Sequence, residues 1–96
     1  MDDVYIVVTR IDTVFDDSFR EVSAIFKSYA DALSYLQKEY EEFFEEAKRH
    51  NEKYGCNEYW CSFTDGVVTT SCDMEDTTSK IVSVKFGDKI DIWKLT

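Results

Sequence analysis

Four side chains in this 96-residue chain have the chemistry of transition-metal ligands: His50, Cys56, Cys61 and Cys72. Imidazole and thiolate together select zinc-like ions. Their spacing argues against a structural zinc site. The intervals are x5, x4 and x10, and no C-x2-C pair occurs, whereas closed sites pair their ligands at short, regular spacing. No metal and no cofactor are expected, and the three cysteines read as core thiols. The acidic clusters fare no better. Asp12, Asp16 and Asp17 fall together, as do Asp73, Glu75 and Asp76. Neither group follows the calcium-loop template, with its central glycine and terminal glutamate, so both read as solvated loops. Nucleophilic catalysis has no visible apparatus. His50 is the only histidine, and no serine or cysteine stands beside it in a nucleophile motif. A glycine-rich phosphate loop is also missing from the sequence. The chain is expected not to be an enzyme.

Charge is the chemistry that remains. In "KEYEEFFEEAKRH", residues 38–50, five glutamates fill eight positions. On a helix Lys38 can reach Glu42, and Glu45 can reach Arg49. Glu41 faces Glu45, and Glu42 faces Glu46, at the same spacing of four, and each such like-charged pair costs a few tenths of a kcal/mol. A sequence selected for helix stability alone would mix the signs. Glu39, Glu41, Glu42, Glu45 and Glu46, with Phe44 among them, therefore form a candidate surface for a lysine- and arginine-rich partner. The competing reading is an ordinary solvated helix face.

These residues must be held by elements that the chain punctuates clearly. "VYIVVTRI", residues 4–11, is apolar on both faces and reads as an interior strand covered on both sides, or on one side and partly on the other. A turn over 12–18 leads to "REVSAIF", residues 20–26, with Val22, Ala24 and Phe26 on one face, and the two strands should pair as an antiparallel hairpin. Ser28 is a natural N-cap with Asp31 three residues on, and Gly55 suits the left-handed position that stops a helix. The helix between them spans 26 residues, roughly 39 Å, long enough for its far end to project. Tyr29, Leu33, Leu36, Tyr40, Phe43, Ala47, His50 and Tyr54 recur along it at spacings of four and three and form its apolar seam, with Tyr35 and Phe44 beside it. A small sheet need not reach His50 and Tyr54, which could meet a second copy of the helix in a homodimer.

"EYWCSFT-DG-VVTTSC" is a hairpin around Asp65-Gly66, the dipeptide that accepts the positive φ angles of a tight primed turn. It sets Phe63 opposite Val68, Cys61 opposite Thr70 and Tyr59 opposite Cys72. Cys61 and Cys72 are then diagonal neighbours, about 7–8 Å apart at Cα, which is long for a disulfide. "DMEDTTS", residues 73–79, reads as an acidic loop. "KIVSVKF", residues 80–86, and "KIDIWKL", residues 89–95, read as strands, aligned Phe86 with Ile90 and Val84 with Ile92 across a three-residue loop. The order is β-β-α-β-β-β-β. This is an α+β fold, a single domain over 1–96, with one antiparallel sheet of five to six strands and one long helix packed across it.

The bulk numbers limit the partners. The net charge is −9, which repels phosphate backbones and anionic membranes. Residues 1–47 carry −8, residues 48–79 carry −3, and residues 80–96 carry +2. Direct binding to nucleic acid or membrane is not expected. The start Met1-Asp2-Asp3 lacks the basic region of a secretory signal, and "VYIVV" is too short to span a bilayer. A cytoplasmic protein with reduced thiols is expected.

The first strand "VYIVVTRID", the acidic turn, the second strand ending "VSAIFKS", the helix start "ADALSYL" and the closing tryptophan segment "DIWKL" together resemble small phage and prophage proteins of unassigned function. That resemblance implies an inhibitor of a host enzyme or defence complex, of the anti-CRISPR kind, acting in the host cytoplasm by imitating the charge of nucleic acid. It transfers no functional residue. The leading expectation is an acidic protein-interaction module that occupies a basic, nucleic-acid-binding surface of a host protein. The alternatives are an oligomeric binder of a nucleotide signal, using Tyr, Trp and the basic Lys80, Lys85, Lys89 and Lys94, and a dimeric structural or regulatory subunit.

Overall fold

The computed structural model describes residues 3–13, 18–72, 74–85, 87 and 89. Two strands, β1 (Asp3–Thr13) and β2 (Ser18–Phe26), precede a single helix, α1 (Tyr29–Tyr54). Three strands follow: β3 (Trp60–Thr64), β4 (Val67–Cys72) and β5 (Glu75–Lys85). They form one antiparallel sheet in the order β2-β1-β5-β4-β3. The α+β class is as the sequence implies. The expected last strand, 89–95, and its register against Val84 and Phe86 lie outside the described residues apart from Lys89.

Local chemistry sets the boundaries. The Ser28 Oγ accepts a hydrogen bond of 3.1 Å from the Asp31 N–H, which satisfies one of the free donors of the first turn. Gly55 takes φ 62, and its N–H donates back to the Asn51 carbonyl, ending the helix where only a residue without Cβ is comfortable. Asp65 (φ 54) and Gly66 (φ 75) form the two-residue turn between β3 and β4, with Thr64 opposite Val67. Its twist matches that of the flanking strands.

β1 is the heart of the sheet. Ile6, Val7 and Val8 are all fully buried, so both faces of this strand are covered there, the fuller of the two arrangements its doubly apolar pattern allows. Val7 faces the helix and joins Ala32, Leu36 and Val68 in the core, with Tyr5, Ala24, Phe26, Phe63 and Ile81 packed around them. Ile6 and Val8 point to the opposite face.

Three readings need correction. The pairing of β1 with β2 shifts between Val7 and Val8, so that Val7 meets Ala24 and Val8 meets Val22. Ser23 is the extra residue. This bulge reverses the alternation, and Val22 turns to the face away from Ala24 and Phe26. Residues 75–79 are strand, not loop: Cys72 pairs with Glu75, and β5 runs between β1 and β4. A central strand is hydrogen-bonded on both sides whatever its side chains, and Thr77 and Thr78 are β-branched. The seam of α1 also differs at its start. Tyr29 is exposed, and Ala32 is the buried residue of the first turn. Its small side chain lets the helix approach the sheet closely.

Leu36 is the largest helix side chain fully removed from water. Leu36→Ala should lower unfolding stability by about 2–5 kcal/mol, read as a drop in the urea midpoint with an unchanged m-value.

Candidate functional site

Aromatic contacts track α1 across the sheet. Tyr29 meets Tyr5 edge-on at 5.9 Å between ring centroids, Tyr35 meets Phe26 at 5.5 Å, and Tyr40 meets Phe63 at 5.9 Å. Phe43 stacks on Tyr59 at 6.3 Å, and His50 stacks on the same ring at 3.7 Å. The helix therefore does not overhang an empty edge. It is seated on the protein as far as His50, through the segment that leads into β3. His50 finds its partner in Tyr59, whereas Tyr54 is 63% exposed, with the Lys53 ammonium 5.3 Å from its ring.

The six residues of the candidate surface are all exposed. At 3.6 residues per turn they separate into two flanks. Glu41, Phe44 and Glu45 lie on the flank above the β3 edge. Glu39, Glu42 and Glu46 lie on the flank above β1 and β2. Neither Lys38–Glu42 nor Glu45–Arg49 forms an ion pair among the described residues. Glu41 accepts a hydrogen bond of 2.9 Å from Gln37 Nε2.

On the first flank Tyr40, Glu41, Phe44 and Glu45 line a shallow depression of ≈ 470 Å³. It adjoins a smaller one, ≈ 220 Å³, between Phe44, Ala47 and Lys48 of the helix and Tyr59, Trp60 and Cys61 beside them. Phe44 is 47% exposed and Trp60 51%. Among the described residues β3 is an edge strand, and one side of its backbone pairs with no other described strand.

On the second flank Tyr35 and Glu39 overhang a polar cleft of ≈ 440 Å³. Its floor includes Thr9, Glu21, Ser23, Thr77 and Ser79. Thr9 Oγ1 shares hydrogen bonds with Ser23 Oγ at 2.6 Å and with Ser79 Oγ at 2.9 Å, a chain of hydroxyls across β2, β1 and β5. The bulge at Ser23 creates this part of the site, and no periodicity in the sequence signals it. Tyr35 donates its hydroxyl to the Glu39 carboxylate. That bond, followed by burial and by the charges of Glu39, Glu21 and Glu42, raises its pKa from 10.0 to about 12. Two carboxylates in the cleft oppose an anionic ligand. Lys80 and Lys85 fall on opposite faces of β5, opposite Val8 and Asp3, so they do not converge on a nucleotide.

The metal-ligating types are also rearranged. Cys61 pairs with Thr70 in the β3–β4 ladder, and Cys72 pairs with Glu75. None of the three cysteines forms a disulfide among the described residues. Burial pushes the Cys61 thiol up, away from the thiolate that a metal needs. His50 and Cys56 come together at the end of α1, with Glu58 rather than Cys61 or Cys72 as their neighbour.

Comparison with protein-family models, curated proteins and solved structures finds no match to the chain. No helix among the described residues is long and apolar enough to cross a membrane.

The raised Tyr35 pKa has a definite sign in stability. The folded state holds the phenol proton more tightly than the unfolded chain, so this contribution is complete below pH 10 and is lost as pH rises toward about 12. Between those values wild type should lose stability more steeply than Tyr35→Phe. Urea unfolding of both proteins at stepped alkaline pH checks this, and parallel slopes would show that the Tyr35–Glu39 bond has no such effect.

Proposed function

We propose that the protein is an acidic protein-interaction module, and that it binds a lysine- or arginine-rich surface through the Phe44 flank of α1. One observation carries this reading. Phe44 stands half out of water between Glu41 and Glu45, on a helix whose opposite face is anchored from Ala32 to His50. An exposed aromatic ring beside a depression provides the anchor that interfaces use, and the glutamates around it set the sign of the partner. A helix already locked to the sheet presents both with little ordering cost. The net charge of −9 adds long-range steering toward a cation.

The partner surface that fits best is one that ordinarily takes a phosphate backbone, because its cations are arrayed to meet closely spaced anions. An inhibitor of a host nucleic-acid-binding protein, the role implied by the phage-type resemblance, would act by occupying such a surface. The cleft beneath Tyr35 favours no nucleotide ligand, since its charged groups are carboxylates.

The test is capture of partners from a lysate of the cell in which the protein acts, using wild type and two paired reversals. Glu41→Lys with Glu45→Lys should weaken binding at least about 100-fold, because like charges across an interface cost several kcal/mol. Glu42→Lys with Glu46→Lys should weaken it less, and rising salt should weaken wild type most. If all four reversals together leave binding unaltered at low and high salt, the acidic helix is not the interface.

A further inference from the structure

We propose that His50, Cys56 and Glu58 form a transition-metal site at the C-terminal end of α1, suited to Zn²⁺ with a fourth position open to water. The imidazole, thiol and carboxylate ligand atoms all lie within 4.8 Å of one another. A tetrahedral zinc ion with bonds of roughly 2.0–2.3 Å sets its ligand atoms roughly 3.3–3.7 Å apart. The trio needs to contract by about 1 Å across its widest pair, and the exposed Glu58 can supply that by a change of rotamer.

The two less mobile ligands are already held. The His50 ring lies nearly parallel to Tyr59, at 10° and 3.7 Å, with Tyr54 at 4.8 Å on its other contact. A stacked imidazole keeps both ring nitrogens in its plane and available. Neither nitrogen makes a hydrogen bond among the described residues. Cys56 is half-buried and follows directly on the Gly55 cap, and its N–H donates to the Asn51 carbonyl at 3.1 Å. Its Sγ donates to Asn51 Oδ1 at 3.6 Å. The same Asn51 side chain ties down the rest of the loop: Nδ2 donates to the Tyr59 carbonyl at 2.8 Å, and Oδ1 accepts from the Tyr59 N–H at 3.2 Å. Asn51 thus fixes the loop and the position of the Cys56 sulfur before metal arrives, and the S–H bond to its Oδ1 is given up when the thiol proton is released.

Electrostatics and ligand type point the same way. A thiolate and a carboxylate together neutralise a dication, and the negative end of the helix dipole lies beside them. Sulfur and nitrogen donors exclude Ca²⁺ and Mg²⁺, which require oxygen ligands. Three protein ligands plus water is the open arrangement of a zinc ion that can still bind a further group. The x5 spacing was visible in the sequence. Glu58 was not, because it completes the set only after the Gly55 turn has folded the loop back.

Cobalt(II) added to the reduced, full-length protein is the test. One equivalent should bind, with a near-ultraviolet thiolate-to-cobalt charge-transfer band and tetrahedral ligand-field bands, and Zn²⁺ should displace it. Affinity should rise with pH as the thiol proton is released. Cys56→Ser should abolish the charge-transfer band, while Cys61→Ser and Cys72→Ser leave it intact. Glu58 is exposed, so Glu58→Gln keeps the fold and should raise the cobalt Kd at least about tenfold, the lower bound that even outer-partner losses reach. Absence of the band, its survival in Cys56→Ser, or an unchanged Kd in Glu58→Gln would overturn the site.

Discussion

One helix has to seal one face of a five-stranded sheet, and the contact of Ala32 and Leu36 with Val7 and Val68 is what makes that possible. No other helix is present among the described residues to share the task. A single helix is about 10–12 Å across with its side chains, whereas strands stand about 4.8 Å apart, so it cannot cover five of them. The chain meets this limit by placing α1 nearest β3 and setting hydroxyl and carboxylate side chains beside Ile11 and Val22 in the cleft that the helix leaves open. Thr9, Ser23, Thr77 and Ser79 lie in that cleft, and the hydroxyls of Thr9, Ser23 and Ser79 satisfy one another.

The same limit separates the glutamates by position. Those above β1 and β2 overlook the polar cleft and interact with it, as Glu39 does through Tyr35. Those above the β3 edge flank Phe44 and Trp60, where apolar surface remains open. A run that is continuous in sequence thus becomes two surfaces of different chemistry. The Phe44 side combines charge with an anchor, and the Tyr35 side combines charge with hydroxyls.

Much of the fold was legible because its signals are local. Ser28, Gly55 and Asp65-Gly66 each act on their own backbone, and the helix and the β3–β4 hairpin begin and end where those residues require. The errors arose where a distant neighbour decides. Residues 75–79 look like loop by composition, yet β1 and β4 hold them as a strand from both sides. Ser23 looks like one step in an alternating strand, yet pairing with β1 makes it a bulge. The candidate surface was legible as a set of exposed residues and not as two flanks, because that division depends on which way the helix lies. Glu58 carries no signal at all until the turn after α1 is formed.

The pairing of β1 with β5 joins opposite ends of the described chain, and Thr9 touches Ser79 across seventy positions. Such a topology has high contact order, and its loop-closure cost must be met before the central contacts form. On the ribosome β1 and β2 can pair early and α1 can coil, but β1 keeps an open edge until β5 has emerged. The strand with the most apolar surface is therefore the last to be completed on both sides. During synthesis it is the segment most in need of protection from other chains, and its open edge closes only when β5 arrives.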